Sequence, residues 1–261
     1  MNTTNELRDA VARGQGVLGS ILRSPDIRVA EITGLTGFDF GWIDMEHSVL
    51  SLREAETLIV ALRGHGCLPL VRVPRNDAHI IGLALDMGAA IVDVPHVDTV
   101  EDAKHAVEAA KYYPIGRRGY MSSGRHTRHG SEKLNIETMQ RLNAESLLMV
   151  QIESVKGLKN VDAIAAVEGV DALFFGQGDM SQDLGVPGDV HHPKCVEAAR
   201  TFFNAVRRQN KIAAALGYTP EILKQNADQG CQMFLCAGDE LSWLRSGLRT
   251  LLDTCRRTLK P

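Results

Sequence analysis

The chain has 261 residues, 44% of them apolar, so it is long enough to bury a full hydrophobic core. Its net charge of −3 and the absence of an apolar run of about 18 residues argue against nucleic acid and membrane as partners, and predict a small-molecule partner. The polar N-terminal segment lacks the apolar stretch of a secretory signal, and five cysteines without a C-x-x-C pair are typical of free thiols. These features predict a cytoplasmic protein.

Eight short apolar runs alternate with segments of helical spacing along nearly the whole chain. Runs that are apolar at consecutive positions are typical of strands buried on both faces of a parallel sheet. Eight such βα units predict a single (β/α)₈ TIM barrel domain over residues 1–261, with a doubly wound open sheet as the alternative. The predicted strand runs are 16–22, 38–46, 68–74, 89–97, 146–154, 171–178, 212–219 and 232–238.

Three connecting segments carry predictions of their own. Residues from about 114 to 136 are rich in Gly, Ser, Arg and His, and predict an enlarged βα-type excursion or an oligomer contact. The C-terminal segment predicts a long helix from Asp239 to about Thr258, which packs outside its own barrel. The segment "SLREAETLIVALRGHG" predicts a helix that ends at Gly64 or Gly66, with one apolar face formed by Leu52, Ala55, Leu58, Ile59 and Leu62.

Polar residues stand where the predicted strands end. The catalytic groups of a barrel come from the carboxyl ends of several strands, because these ends face the loops that form the pocket. A charge on a buried strand is costly without a partner, so we expect these residues to converge. They are His47 after the second strand, Arg72 in the third, Gln151 and Glu153 at the fifth and Asp179 after the sixth.

Glu153 and Asp179 are the acids to which we give most weight. Two carboxylates at adjacent strand ends offer an oxygen-rich site for a hard divalent cation, with positions left open for water and substrate. Two other interpretations stay open. Each acid could pair with an arginine such as Arg72 in a structural network, or the two could act as an acid and a base, as in glycosidases. The low aromatic content of 5% argues against the glycosidase interpretation.

His47 and Arg72 complete the candidate set. An imidazole exchanges protons near neutral pH, so His47 is a candidate general base, although a histidine at a loop start is often only solvated. Arg72 suits a carboxylate or a developing enolate oxygen, and it could equally be the countercharge of nearby acids.

The stretch "LFFGQGDMSQDLG", residues 173–185, first suggests a phosphate loop. It contains neither the G-x-G-x-x-G fingerprint with a distant acid nor the lysine of a P-loop. Nucleotide binding is therefore not predicted, and a metal site that includes Asp179 is the better interpretation.

Several motifs occur in an order that resembles one family. They are "DMEH", "VRVP", "ALDMGAA", "VPHV", "YYPIGRRG", "VQIES" and "GQGDMSQDLG". Over roughly residues 15–245 they resemble the metal-dependent hydroxy-ketoacid aldolases of the HpcH/HpaI type, which include citrate-lyase-beta-like and macrophomate-synthase-like branches. The usual G-P-A-D of that family reads Gly176 to Asp179 here with Gln177, and its D-G-E-H reads Asp44 to His47 with Met45.

The resemblance implies a phosphoenolpyruvate/pyruvate-type TIM barrel that forms hexamers, as trimers of dimers exchanging their last helix. It implies a class II aldolase, an aldehyde-lyase that reversibly cleaves a 4-hydroxy-2-oxo acid to pyruvate and an aldehyde. The reaction would pass through a pyruvate enolate stabilised by Mg²⁺, Mn²⁺ or Co²⁺. The implied site residues are Glu153 and Asp179 as metal ligands, Gln151, Gly178, Asp179 and Arg72 as substrate contacts, Arg72 also at the enolate oxygen, His47 as base and Asp86 as the acid that orients it.

Three alternatives share part of this pattern. A citrate-lyase-beta-like acyl-CoA lyase would use the same metal chemistry and could bind CoA phosphates at Arg117, Arg118, Arg125 and Arg128. A mutase or isomerase could act on a similar enolate. A metabolite-binding barrel without catalysis is the third alternative. A Schiff-base aldolase would need a lysine at a strand's carboxyl end, where Lys156 is the nearest candidate.

Overall fold

A computed structural model describes residues 1–217, 219–236 and 239–259 of this chain. Its eight parallel strands pair in chain order, and the eighth pairs with the first, so the sheet closes into a barrel. The strands are β1 (Val17–Leu22), β2 (Phe40–Asp44), β3 (Leu68–Arg72), β4 (Ile91–Val94), β5 (Leu147–Ile152), β6 (Ala172–Phe175), β7 (Ile212–Leu216) and β8 (Met233–Leu235). The predicted (β/α)₈ barrel is confirmed, and the open sheet is excluded.

Helices alternate with the strands and cover the outside of the barrel. The helix predicted between the second and third strands is confirmed, and it begins with a capping box between Ser51 and Glu54. The helices are α1 (Thr4–Ala12), α2 (Ile27–Thr36), α3 (Leu52–Gly64), α4 (Ala78–Asp86), α5 (Val100–Ala110), α6 (Ile136–Glu145), α7 (Val155–Ala165), α8 (Gln177–Asp183), α9 (Pro193–Arg208), α10 (Pro220–Asp228) and α11 (Glu240–Thr258). Across the described residues, none of these helices is long and apolar enough to cross a membrane.

The last two predicted strand runs reach beyond what is described. Tyr218 lies in the run 212–219, and Ala237 and Gly238 end the run 232–238; these three positions lie outside the described residues. β7 and β8 lie in the described parts of the two runs. The predicted C-terminal helix is confirmed as α11, with Asp239 as its N-cap.

The barrel encloses an apolar inner layer, separate from the larger core between strands and helices. Trp42, Leu70, Ile91, Met149 and Phe174 belong to this inner layer, where the Trp42 and Phe174 rings meet edge to face at 4.6 Å. Side chains two residues apart on a strand point to the same face. Arg72, Asp93 and Gln151 therefore share the inward direction of Leu70, Ile91 and Met149. The interior thus changes from apolar to polar toward the carboxyl ends of β3, β4 and β5.

The irregular segment 114–136 lies between α5 and α6, on the way from a helix to the next strand. It contains a short 3₁₀ helix, Arg125–Thr127, and reaches the outside of the barrel through an ion pair between Arg125 and Glu56 of α3 at 3.0 Å. The prediction of a βα-type excursion was wrong, because such a loop would follow a strand and this segment follows a helix.

Candidate active site

Arg72 stands at the centre of a buried ionic cluster at the carboxyl ends of β2 and β3. Strand pairing sets Arg72 beside Asp44, and its guanidinium donates to both oxygens of that carboxylate, through Nε at 3.0 Å and with Nη2 at 2.7 Å. Its Nη1 lies 2.9 Å from Oε2 of Glu46. Arg23 holds Asp44 from the other side at 2.8 Å. Arg72 is thus the countercharge of two acids on β2 and its following loop, with its position fixed by both.

The pKa values of the two acids on β2 and its loop move in opposite directions. Burial by itself would raise the pKa of Asp44, but hydrogen bonds and charge from Arg72, with further bonds from the His47 N–H and Arg23, lower it to about 2. Burial raises the pKa of Glu46, and Arg72 offsets only part of this because Glu153 adds repulsion. Asp44 is therefore a fixed anion. Burial and the negative charge of Glu153 make ionisation of Glu46 less favourable.

Glu153 follows β5 directly and is held by its neighbours. Its Oε2 accepts a hydrogen bond from the Gln151 amide. Its Oε1 accepts the backbone N–H of His96 at 2.7 Å and lies 3.0 Å from Nδ1 of the same residue. Nε2 of His96 lies 3.2 Å from Oε1 of Glu46. Within the described part of the chain, Glu153 forms no ion pair with an arginine, so the structural interpretation of this acid is not supported.

Asp93 is a buried acid that the sequence analysis did not select. Strand pairing places it beside Arg72, and it is fully inaccessible to solvent. Neither of its carboxylate oxygens has a hydrogen-bond partner among the described residues. Burial raises the pKa of Asp93 well above its ordinary value; Arg72 offsets part of this effect, while Glu153, Glu46 and Asp44 add repulsion. The period-two pattern of "IVDV" could have identified it as an inward-facing residue.

The loop after β6 becomes the first turn of α8, which contains Gln177, Gly178 and Asp179. Gly176 precedes this turn and packs on Glu153, because a Cβ at Gly176 would lie 2.5 Å from that of Glu153. The turn therefore starts beside Glu153, but Asp179 is not part of the group of potential metal-ligand atoms that includes Glu153 in the described structure. Gln177 is buried, and its amide nitrogen has no partner there.

His47 lies at the rim of the cluster, with its side chain 53% exposed and Nε2 3.7 Å from Oε2 of Glu46. Asp86 lies elsewhere. It ends α4, which runs back from the strand ends, and it pairs with Arg118 at 2.5 Å and with His126 at 3.4 Å. In the described chain, Asp86 is not within ion-pair distance of His47. The predicted pairing of these two residues is therefore not met within one chain. The reason is that α4 has nine residues and is about 13 Å long, and Asp86 lies at the end of α4 that is away from the strand ends.

The cluster has more acids than cations. Asp44, Glu46, Asp93 and Glu153 face Arg23 and Arg72, so when all four acids are ionised two negative charges remain. Glu46, His96 and Glu153 offer ligand atoms that all lie within 4.8 Å of one another. The buried carbonyl oxygen of Gln151 has no partner in the described residues. An oxygen-rich site with this excess charge suits a divalent cation.

The positions of the lysines argue against a Schiff-base mechanism at this end of the barrel. Lys156 lies on α7 and is exposed. The most buried lysine of the described chain, Lys111, follows α5 and donates to Asn143 and Ser146 carbonyls and to Asp171, all of which precede β5 or β6. Lys111 therefore lies at the amino ends of the strands, opposite the acidic cluster.

This chain is a (β/α)₈ barrel with acids, a buried arginine and histidines at the carboxyl ends of its strands. Such an arrangement is typical of enzymes that bind the oxygen atoms of a small substrate. Residues 22–238 match the family described as HpcH/HpaI aldolase/citrate lyase. The chain belongs to this family, which is divalent-metal dependent, as the predicted resemblance implied.

Two curated relatives and one solved structure agree with this assignment. The chain is 35% identical over 243 residues to a 2-dehydro-3,6-dideoxy-6-sulfogluconate aldolase from Pseudomonas putida, covering 92% of each chain. It is 34% identical over 255 residues to a 5-keto-4-deoxy-D-glucarate aldolase from Escherichia coli, covering 97% of each. An HpcH/HpaI aldolase from Desulfitobacterium hafniense superposes with a TM-score of 0.89 at 30% identity, over 98% of this chain and 97% of that one. The predicted enzyme class, an aldolase among the carbon–carbon lyases, is confirmed.

We predict that Asp93→Asn stabilises the metal-free protein at neutral pH. The folded state raises the pKa of Asp93, so between the unfolded and folded pKa values the folded protein binds the extra proton. Stability then falls as pH rises, by up to about 1.4 kcal/mol per pH unit for one group. Chemical denaturation in EDTA at pH 4 and pH 8 measures this difference. The two proteins should match near pH 4 and diverge at pH 8; parallel curves would contradict the assignment.

Proposed function

We propose that this protein cleaves a 4-hydroxy-2-oxo acid reversibly to pyruvate and an aldehyde, with a divalent cation bound at the ends of β5 and β6. The observation that carries this proposal is the position of Glu153, Arg72 and His47 at one end of the barrel in a chain of aldolase ancestry. Glu153 and Asp179 would hold the cation, which supplies Lewis-acid stabilisation of charge on substrate oxygens when bound. Mg²⁺, Mn²⁺ and Co²⁺ are the candidates.

The protein's own residues would bind the substrate and move the proton. Arg72 is held by Asp44 and Glu46, so its remaining donor capacity would meet an enolate oxygen without reorganisation. Gln151 and the backbone at Gly178 and Asp179 would contact the 2-oxo acid. His47 would transfer the proton during cleavage of the C3–C4 bond or its reverse. Glu46 is the carboxylate within reach of His47 in the described structure, so we assign it the orienting role first predicted for Asp86.

The aldehyde half is expected to be small and polar. The two curated relatives are named for a sulfogluconate and a glucarate, both acidic sugar derivatives. We infer a hydroxylated aldehyde with an anionic end, and screening pyruvate against carboxylated, sulfonated and uncharged aldehydes would identify it.

An acyl-CoA lyase is the weaker alternative. The arginines that could have met CoA phosphates are partly engaged: Arg118 pairs with Asp86 and stacks on Tyr112, and Arg125 pairs with Glu56. Arg118 is also buried. Cleavage of an acyl-CoA substrate without turnover of any free hydroxy-oxo acid would favour this alternative.

We predict that EDTA abolishes aldol cleavage and that Mg²⁺ or Mn²⁺ restores it. The same treatment should stop exchange of the C3 protons of pyruvate with deuterium, as followed by NMR, because enolate formation needs the cation. Borohydride with pyruvate should leave the mass of the protein unchanged. A covalent pyruvate adduct would contradict the proposal and indicate a lysine route.

The variant His47→Ala should lower the rate of cleavage by about 10²-fold or more, the scale of losing a general base. Metal affinity should be retained, because His47 is not among the predicted ligands. Measuring kcat, KM and metal binding together separates the two effects. A rate equal to that of the wild type would remove His47 from the mechanism.

We also propose that the protein forms a homo-oligomer, a hexamer by analogy with the resemblance described above. None of the residues of α11 from Glu240 to Thr258 is buried. Its leucines recur at helical spacing and form one exposed apolar stripe, composed of Leu241, Leu244, Leu248, Leu251 and Leu252. A stripe of this kind is typical of a surface covered by another subunit.

The double variant Leu244→Asp and Leu248→Asp should lower the particle mass in solution, because charges on the stripe would oppose association. Thr250→Asp, on the opposite face of α11, is the matched control and should leave the mass unchanged. Light scattering coupled to size exclusion measures both. A monomeric wild-type protein would contradict the oligomer.

A cytoplasmic location is proposed on the basis of the thiols. All five cysteines are free, and Cys67, Cys195 and Cys231 are buried. Unpaired cysteines are typical of a reducing compartment. Recovery of the protein in a secreted or periplasmic fraction of its native cells would contradict this location.

A further inference from the structure

His96 brings a nitrogen donor to the acidic cluster. It lies two residues after β4 in "VPHV", and its side chain is 64% exposed, so it borders both the cluster and the solvent. Nδ1 lies 3.0 Å from Oε1 of Glu153, and Nε2 lies 3.2 Å from Oε1 of Glu46. Both ring nitrogens thus face carboxylate oxygens that belong to different elements.

The backbone holds the imidazole in this place. His96 has a φ of +54°, a left-handed conformation that non-glycine residues uncommonly adopt. Its N–H donates to Oε1 of Glu153 at 2.7 Å, which stabilises this conformation. The same hydrogen bond therefore orients the Glu153 carboxylate and keeps the His96 imidazole next to it.

A protonated imidazole would donate to both carboxylates, whereas a neutral imidazole, the form that binds a metal, cannot satisfy both contacts through hydrogen bonds. The neutral ring carries one N–H donor and one lone pair, so one of the two nitrogens would set its lone pair against a carboxylate oxygen. A cation between the nitrogen and the oxygen removes this conflict. The distances agree with such an ion: two ligands at right angles, each about 2.1 Å from an octahedral cation, lie about 3.0 Å apart.

The surroundings point to the same ligand. Gln151 is buried, its amide nitrogen fixes Oε2 of Glu153, and its carbonyl oxygen has no partner in the described chain. Asp93 adds a second buried group, whose oxygens have no hydrogen-bond partner among the described residues and whose charge acts on Glu153 and Glu46. The site therefore offers one nitrogen in an oxygen-rich, strongly anionic environment.

We propose that His96 is a nitrogen ligand to the divalent cation that Glu153 holds, and that it shifts the metal preference of this protein from Mg²⁺ toward Mn²⁺, Co²⁺ and the later first-row ions. This inference rests on the proposed metal site at Glu153. Imidazole favours the later transition metals, whereas Mg²⁺ takes oxygen ligands almost exclusively. His96 is then a determinant of which metal the protein takes, in addition to the predicted carboxylates.

The experiment measures metal binding and not catalysis. Isothermal titration of the purified protein with Mg²⁺ and with Co²⁺ gives the two affinities for the wild type, for His96→Gln and for His47→Gln. His47→Gln is the matched control, because His47 also neighbours Glu46 but forms no ion pair with Glu153 or Asp179 in the described structure. In His96→Gln the affinity for Co²⁺ should fall by about 10-fold or more, with a smaller change for Mg²⁺. The control should keep the wild-type ratio of the two affinities.

Pulsed EPR of the Mn²⁺-loaded protein supplies an independent measurement. A nitrogen hyperfine coupling should be present in the wild type and in His47→Gln, and absent in His96→Gln. Equal losses of Mg²⁺ and Co²⁺ affinity, or a nitrogen coupling that persists in His96→Gln or is missing in the wild type, would overturn the role of His96 and leave the metal-dependent aldolase intact. Failure of every divalent ion to bind the wild type would overturn both proposals.

Discussion

The ionic contact between Arg72 and Asp44 is the constraint on which the rest of the site depends. Both groups are almost completely removed from water, and each would be costly to bury alone. The strand register sets them side by side, and the guanidinium spans both carboxylate oxygens. Because Arg23 and two backbone N–H groups also reach Asp44, the whole loop after β2 is tied to this contact. The positions of Glu46 and His47 follow from it.

The excess of negative charge at the strand ends has a second consequence. Arg72 pairs with Asp44 and Glu46, which leaves Asp93 and Glu153 without an arginine ion pair in the described chain. Folding this cluster without a cation is unfavourable, and a bound divalent ion would stabilise the folded chain as well as supply chemistry. The proposed metal site, the buried oxygens without a partner among the described residues and the left-handed backbone of His96 therefore belong to one electrostatic arrangement.

The buried polar groups at the two ends of the barrel differ in how they are paired. Near the amino ends of β5 and β6, Lys111 donates to Asp171 and to the Asn143 and Ser146 carbonyls, which is typical of a structural network. Near the carboxyl ends of β2 to β5, some buried polar atoms have no hydrogen-bond partner among the described residues, which a structural network would avoid. Asp86 belongs to neither group, since α4 carries it away from the strand ends to Arg118 and His126.

The sequence by itself determined the barrel, because eight consecutively apolar runs separated by helical segments have few other ways to bury their surface. It also located Arg72, Glu153 and His47 at strand ends, since polar residues there interrupt strongly apolar patterns. Only the tertiary structure decided which charges pair. Asp93 also interrupts an apolar strand and His96 follows that strand, but their importance comes from neighbours on other strands. The resemblance implied that Asp86 orients His47, but the direction of α4 carries Asp86 away from the strand ends. Pairing energies depend on distances of a few ångströms between residues far apart in the chain, and a one-dimensional pattern does not contain those distances.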